Sequence, residues 1–231
     1  MNTTHRMRRT ILSGMAAALA AFSIRPQSVH AQTQNRARSF QPTRHPQDEW
    51  METVAGKHRT VIDCAAAGAA GTGVFYANNI FTANRSGYQL GDSDLAVIIV
   101  LRHEATVFAY ADAIWARYGE TLGMLGKITD PRTNRPPAVN PLNSRDFGAA
   151  MTNNGVTASS LASRGAHFAV CDMATTRIAG VIAAAAGSTS SEVYKELVSS
   201  TNLLPNAHMV AAGVVAVNRA QERGYSLLTA G

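Results

Sequence analysis

The chain has 231 residues, of which 46% are hydrophobic and 16% charged, and its formal net charge is +6. This length allows one sizeable core, and the apolar fraction is that of an ordinary globular protein. The first 31 residues hold four arginines and no acid, which leaves 17 basic against 15 acidic residues, a net charge of +2. The basic excess therefore comes mostly from the start of the chain, and it gives no support for nucleic-acid binding.

Residues 1–31 have the features of an export signal. Arg8 and Arg9 precede an apolar stretch at 11–24 that is too short to serve as a stable membrane anchor. Val29-His30-Ala31 supplies the small residues that a signal peptidase recognises, so we predict cleavage after Ala31. The arginine pair also resembles a twin-arginine signal. We predict a periplasmic protein that meets the membrane only during export; the alternative is an uncleaved or lipid-anchored helix.

After a polar, flexible lead-in at 32–57, one α/β domain is predicted at 58–231. Its strands alternate with helices, which favours a mostly parallel sheet with helices on both faces. Strands are predicted at 58–64, 95–101, 167–170, 207–210 and 225–228. Helices are predicted at 74–84, 107–118, 157–163, 174–186, 190–199 and 213–223. A proline-rich insertion at about 122–147 separates two of these helices. Loops of this length usually carry a function, form contacts between subunits of an oligomer, or are mobile.

The glycine-rich segment at 68–73 follows the first predicted strand, as a phosphate-binding loop would. Its spacing is G-x-x-G-x-G, which is not the dinucleotide fingerprint. The second strand ends in Arg102 and His103, without the acid that would hold a ribose. A tight turn that needs small residues explains the glycines equally well. We therefore predict no cofactor.

Two cysteines and one histidine end the predicted strands. Cys64, His103 and Cys171 follow the first, second and third strand, and ligands of open α/β sheets bind outside the carboxyl ends of strands. Cys171 also precedes a helix whose N-terminal amides favour a thiolate, although Asp172 opposes this. His103 could act as an acid or base, or simply cap a helix.

Other polar residues near this edge carry less weight. Asp63 could join the two cysteines and His103 around a metal, but no pair of these residues has zinc-like spacing, so we predict no metal site. We interpret His167 and His208 as packing residues, because they fall near the starts or middles of strands. The two cysteines are either a reactive pair, a structural disulfide or buried apolar residues.

Three segments of the C-terminal half resemble the DsrE/DsrF-like family of sulfur-relay proteins. They are 161–171 (LASRGAHFAVC), 204–215 (LPNAHMVAAGVV) and 221–225 (QERGY), with a weaker match at 98–103 (IIVLRH). Segment 161–171 resembles that family's helix, glycine, strand and cysteine in succession, and segment 204–215 resembles its strand-to-helix turn. Segment 221–225 is similar to its closing helix and last strand. Their order and spacing agree across most of the region 59–228.

From this resemblance we predict a three-layer α/β/α fold with a five-stranded, mostly parallel sheet in the order 2-1-3-4-5. That order makes the strands of Cys64 and Cys171 neighbours, about 5 Å apart and within disulfide range. The resemblance implies that Cys171 carries sulfur as a persulfide, with Cys64 as its partner and His103 beside them. It also implies a homo-oligomer that meets a sulfur-donor or sulfur-acceptor protein. The alternative is a non-catalytic ligand-binding or assembly module.

Overall fold

Strands and helices alternate along residues 41–231, the part of the chain that the computed structural model describes, and Pro42–Gly231 form one unit. The predicted signal peptide at 1–31 and residues 32–40 of the predicted lead-in lie outside the described residues, whereas the rest of the lead-in contains a 3-10 helix at Pro46–Asp48 and the first α-helix. The strands are β1 His58–Cys64, β2 Leu95–Leu101, β3 His167–Cys171, β4 Ala207–Val210 and β5 Ser226–Ala230. The α-helices are α1 Trp50–Thr53, α2 Ala67–Tyr88, α3 Asp112–Leu125, α4 Ala158–Ala162, α5 Asp172–Ala186, α6 Ser190–Leu197 and α7 Gly213–Gln221.

The five strands form one parallel sheet, which confirms the α/β class and the strand number. The predicted order 2-1-3-4-5 is wrong, because the observed order is β4-β3-β2-β1-β5. All seven residues of β2 are buried, and a strand without a polar position needs neighbours on both sides and cover on both faces. Strand β2 therefore lies between β1 and β3. Hydrophobic periodicity locates strands, but it does not say in which direction each crossover moves.

Alternate residues of β2 belong to two different clusters of buried side chains, one on each face of the sheet. Ile99 and Leu101 belong to the larger cluster, which includes residues of α2, α3 and α5. Ile98 and Val100 belong to the smaller one, which includes residues of α7 and α1. A residue's position in this alternation therefore decides which helices its side chain meets at the end of a strand.

Helix α2 begins earlier than predicted, at Ala67, so that the glycine-rich segment 68–73 forms its first turns and is not a separate turn. The glycines allow close approach of other parts of the chain. A Cβ on Gly71 would overlap the Met151 carbonyl oxygen, and one on Gly73 would overlap the Cys64 Sγ. The segment is therefore small because of packing within the fold, which supports no phosphate loop.

The predicted helix 107–118 is divided in two. His103–Ala109 form a 3-10 helix, and α3 begins only at Asp112. Between them Tyr110 is extended and forms an antiparallel bridge with Leu203, and the Ala111 N–H donates to the Asn202 carbonyl at 2.8 Å. The apolar stripe is buried as expected, but a tertiary bridge interrupts the helix.

The proline-rich insertion is attached to the core through Asn140, whose side chain is fully buried. Its Nδ2 donates to the carbonyl oxygens of Phe108 and Tyr110 at 2.8 and 2.7 Å. Its Oδ1 accepts from the Leu142 N–H at 2.9 Å, and its own N–H donates to Asp112 at 2.8 Å. One side chain thus joins the insertion to the segment between the 3-10 helix and α3.

Helix α1 holds Trp50, which stacks on His208 with ring centroids 3.9 Å apart and planes 3° from parallel. The His167 Nδ1 and His208 Nε2 atoms are 2.9 Å apart, so one nitrogen donates and the other accepts. Both histidines lie at the starts of strands and pack, as predicted. Burial lowers the pKa of both rings, and the nearby His167 adds to this for His208, whose pKa is about 4.

We expect the protein to lose stability as the pH falls from about 6.5 towards 4. The unfolded chain binds protons at its histidines near their ordinary pKa of about 6.5, whereas the folded chain resists protonation, so acid favours unfolding. Because the rings are half exposed, the loss should be about 1–2 kcal/mol rather than the full value of the shift. Urea denaturation at pH 7.0 and 5.0 measures it. In His208→Phe, which keeps a ring on Trp50, the difference should shrink; an unchanged difference would exclude this pair as its source.

No helix within residues 41–231 is long and apolar enough to cross a membrane.

Candidate functional site

Three chemically active side chains lie on one face of the sheet at its carboxyl edge. Asp63 belongs to β1, Arg102 follows β2, and Cys171 ends β3. By alternation, each falls in phase with strand residues of the smaller cluster, the one that includes α7. The parallel pairing of β1, β2 and β3 therefore brings a carboxylate, a guanidinium and a thiol to the same edge of three adjacent strands, although Asp63 itself pairs with Val100, two residues before Arg102.

Arg102 is fixed in place by two contacts. Its Nε and Nη2 atoms donate to the two Asp63 carboxylate oxygens at 2.7 and 2.8 Å, which is a bidentate pair. This hydrogen bonding raises the pKa of Arg102 above its usual value. The aliphatic part of Arg102 passes against Gly213, where an added Cβ would overlap the Arg102 Cβ. Glycine at the start of α7 therefore leaves the space that the arginine fills.

Beside Arg102 is a cavity of about 280 Å³ with Cys171 in its wall. Cys171 as a residue is only 7% exposed, and its thiol makes no hydrogen bond within the described residues. Cys171 is the N-cap of α5, and the first residue of α7 is also in the wall, so two helix N-termini direct positive potential here. The wall is formed by Arg102, His103, Cys171, Met173, Ala174, Arg177, Ala212, Gly213 and Val214.

The charged groups around this cavity favour an anion. No aspartate or glutamate of the described part of the chain forms its wall. Asp172, which follows the cysteine, accepts a hydrogen bond from the Tyr194 hydroxyl at 2.6 Å and so points towards α6. Arg177 is exposed and forms no ion pair with any carboxylate in residues 41–231. Positive charge is therefore left over beside the thiol.

His103 is exposed at the cavity wall and has a φ of +53°, a conformation that L residues seldom adopt. The chain must turn sharply there, because the 3-10 helix begins at this residue and only Arg102 separates it from the end of β2. The structure therefore brings together two of the three predicted site residues, Cys171 and His103.

Cys64 does not reach this cavity. Its side chain is fully buried in the larger cluster, on the opposite face of the sheet, and β2 lies between its strand and that of Cys171. The prediction that their strands are neighbours is wrong; they are two strand spacings apart, about 10 Å. Both cysteines are free thiols. Burial, with a smaller contribution from the Asp63 carboxylate, raises the pKa of the Cys64 thiol well above its usual value.

Two arginines of the site were not predicted from the sequence: Arg177 was missed, and Arg102 was given no role. A signal for Arg102 was present, because it follows the last apolar residue of β2 and Asp63 comes just before the end of β1. Recognising the pair required two things. One was that β1 and β2 are neighbours, which the predicted strand order also had, and the other was the register between them, which the sequence does not give. Arg177 lies six residues after Cys171 on α5, and nothing in its local sequence separates it from a solvent-exposed helix residue.

A larger cavity of about 740 Å³ lies elsewhere, with residues of α3, the loop at 127–136 and Ala185 in its wall. It contains Glu120 and Lys127, but no cysteine or histidine of the described residues lines it, so it offers no such nucleophile. Within residues 41–231 no group of three or more histidine, cysteine or acidic side chains is arranged to hold a metal ion. The smaller cavity at Cys171 is therefore the candidate site.

Comparisons with protein-family models, with curated proteins and with solved structures find no match for this chain.

Proposed function

We propose that this chain is a periplasmic DsrE-like protein that handles thiol and persulfide sulfur through Cys171. The observation that carries the proposal is a thiol that is buried, without a hydrogen bond among the described residues, and placed in the wall of a cavity whose charged side chains are cationic. A structural cysteine has no need of a cavity or of cations around it. A nucleophilic cysteine needs a cavity that admits its substrate, and it needs cations nearby because the anionic thiolate is the reactive form.

Each neighbour has a role in this chemistry. The Arg102 guanidinium and the N-terminus of α5 provide positive charge at the Cys171 cavity, which favours binding of a persulfide there because a persulfide is an anion. Asp63 holds Arg102 in position through the bidentate pair. His103, exposed at the mouth, gives or takes a proton. Cys64 is left out of the reaction because its thiol lies on the other face.

The transfer step is a displacement at sulfur. With a polysulfide donor, HSSH, the Cys171 thiolate attacks one sulfur, a new S–S bond forms, and the donor's S–S bond breaks. The bonding pair leaves on hydrosulfide, so the products are the Cys171 persulfide and HS⁻.

We further propose a three-layer arrangement around the sheet, a homo-oligomer, and a protein that donates or accepts the sulfur.

The test is the intact mass of the purified protein before and after treatment with inorganic polysulfide. We expect a species heavier by one sulfur atom, with the sulfur on the peptide that contains Cys171. Cys171→Ser should lose at least nine-tenths of this species, which is about tenfold or more. Cys64→Ala is the matched control, since it removes a thiol from the opposite face and should keep the product.

Two results would count against the proposal. One is a wild-type protein that takes up no sulfur although Cys171 can be alkylated; the chain would then be a non-catalytic binding module. The other is equal uptake by Cys171→Ser, which would place the reactive thiol elsewhere. Circular dichroism of each variant shows that a lost product is not a lost fold.

A further inference from the structure

The wall of the Cys171 cavity contains an arginine, Arg177, that pairs with no carboxylate within residues 41–231, and its positive charge indicates the kind of sulfur donor. Resting on the proposed function, we infer that the donor is a small anionic sulfane-sulfur compound of the thiosulfate class, and that Arg177 binds its negative end. Arg177 would thus determine specificity without being the nucleophile. Cys171 is only 7% exposed and lies in the wall of a cavity of about 280 Å³, which suits a small molecule.

The two arginines of the cavity differ in what they can bind. Arg102 already shares its charge with Asp63 through two short hydrogen bonds. Arg177 also forms part of the wall, but no carboxylate within residues 41–231 pairs with it. It lies on α5, whose N-terminal residue follows Cys171 directly. A planar guanidinium binds the oxygens of a sulfonate-like group through paired hydrogen bonds.

Part of the cavity rim is apolar, with Met173 at 69% and Val214 at 55% exposure. These side chains add no charge that would compete with Arg177 for the donor. The site thus combines one nucleophile, one cation without a carboxylate partner among the described residues, and a partly apolar entrance.

With thiosulfate as the donor, the transfer step conserves atoms and charge. The Cys171 thiolate attacks the sulfane sulfur, a Cys171 S–S bond forms, and the bond between the two sulfurs of thiosulfate breaks. The bonding pair leaves on sulfite, so a charge of −3 is present before and after. Sulfite carries its charge on oxygens that Arg177 can hold, which makes it a better leaving group.

The first experiment compares two alkylating reagents of similar size, anionic iodoacetate and neutral iodoacetamide, on the whole protein. We expect the iodoacetate-to-iodoacetamide rate ratio at Cys171 to exceed that of free cysteine, and thiosulfate to compete with iodoacetate. Arg177→Ala should lower the iodoacetate rate about five- to tenfold and leave the iodoacetamide rate unchanged. Arg177→Lys should keep most of the ratio. Arg145→Ala, which removes an exposed arginine from outside the cavity, should not change it.

The second experiment measures sulfur transfer from thiosulfate to Cys171 by intact mass, with polysulfide as the reference donor. Transfer from thiosulfate that falls in Arg177→Ala, while transfer from polysulfide continues, supports the inference. Transfer from polysulfide alone overturns this inference but leaves the proposed function in place. Transfer from neither donor overturns both. A reagent ratio equal to that of free cysteine, or a ratio that Arg177→Ala does not change, also overturns the role of Arg177.

Discussion

Replacing Asn140 with alanine is expected to lower the free energy of unfolding by about 3–5 kcal/mol. The amide is fully buried and satisfies two carbonyl oxygens and one N–H, at Phe108, Tyr110 and Leu142. Without it these backbone groups stay buried with no partner, and each such group costs about 1–3 kcal/mol. Guanidinium denaturation followed by circular dichroism gives the value.

Two further variants sharpen this test. Asn140→Asp has nearly the same shape but puts an oxygen opposite two carbonyl oxygens, so its loss should be at least as large. Asn218→Ala is the matched control, because Asn218 is exposed on α7 and its side chain makes no hydrogen bond among the described residues; its effect should stay within about 0.5 kcal/mol. A loss below about 1 kcal/mol for Asn140→Ala would mean that water replaces the amide and that the insertion is not attached through it.

The second large effect is on stability: alanine substitutions at two glycines of α2 are expected to change the free energy of unfolding in opposite directions. Gly71→Ala should destabilise the protein by about 2–4 kcal/mol, because the new Cβ would overlap the Met151 carbonyl oxygen, which belongs to backbone and cannot rotate away. Gly68→Ala lies in the same helix with open space around its Cβ, and should stabilise by about 0.5–1 kcal/mol through helix propensity. Thermal and denaturant midpoints of both variants provide the comparison.

If both substitutions stabilise the protein, then α2 and the Met151 segment do not approach as closely as described. If both destabilise it, glycine at these positions serves the backbone conformation and not packing. Only opposite signs agree with a helix that is small on one side because another segment presses against it.

Local features of the fold followed from the sequence because short-range chemistry decides them. The β-branched run of β2 and the capping box at Thr189 and Glu192 identify their elements without help from the rest of the chain. Long-range contacts decided the features that were missed. The bridge from Tyr110 to Leu203 interrupts a helix whose apolar periodicity is continuous, and the partners come from segments distant in sequence.

The same division holds for the candidate site: the features that local sequence decides could be predicted, and those that depend on long-range contacts could not. Cys171 and His103 could be placed at one edge of the sheet, since each ends a recognisable strand. The separation of Cys64 from Cys171 could not, because it depends on β2 lying between β1 and β3 and on which face each side chain occupies. The contact of Arg102 with Gly213 depends on where the start of α7 lies against the sheet, and hydrophobic periodicity does not give that position.

The placement of the two cysteines on opposite faces of the sheet has a consequence for the biogenesis of the protein. A covalent link between Cys64 and Cys171 is incompatible with the strand order, so a nascent chain that is oxidised intramolecularly before it folds has to be reduced before it can mature. Once folded, the chain cannot form this disulfide, because the two thiols lie on opposite faces of the sheet and β2 lies between their strands. The topology therefore favours folding while both thiols are still reduced.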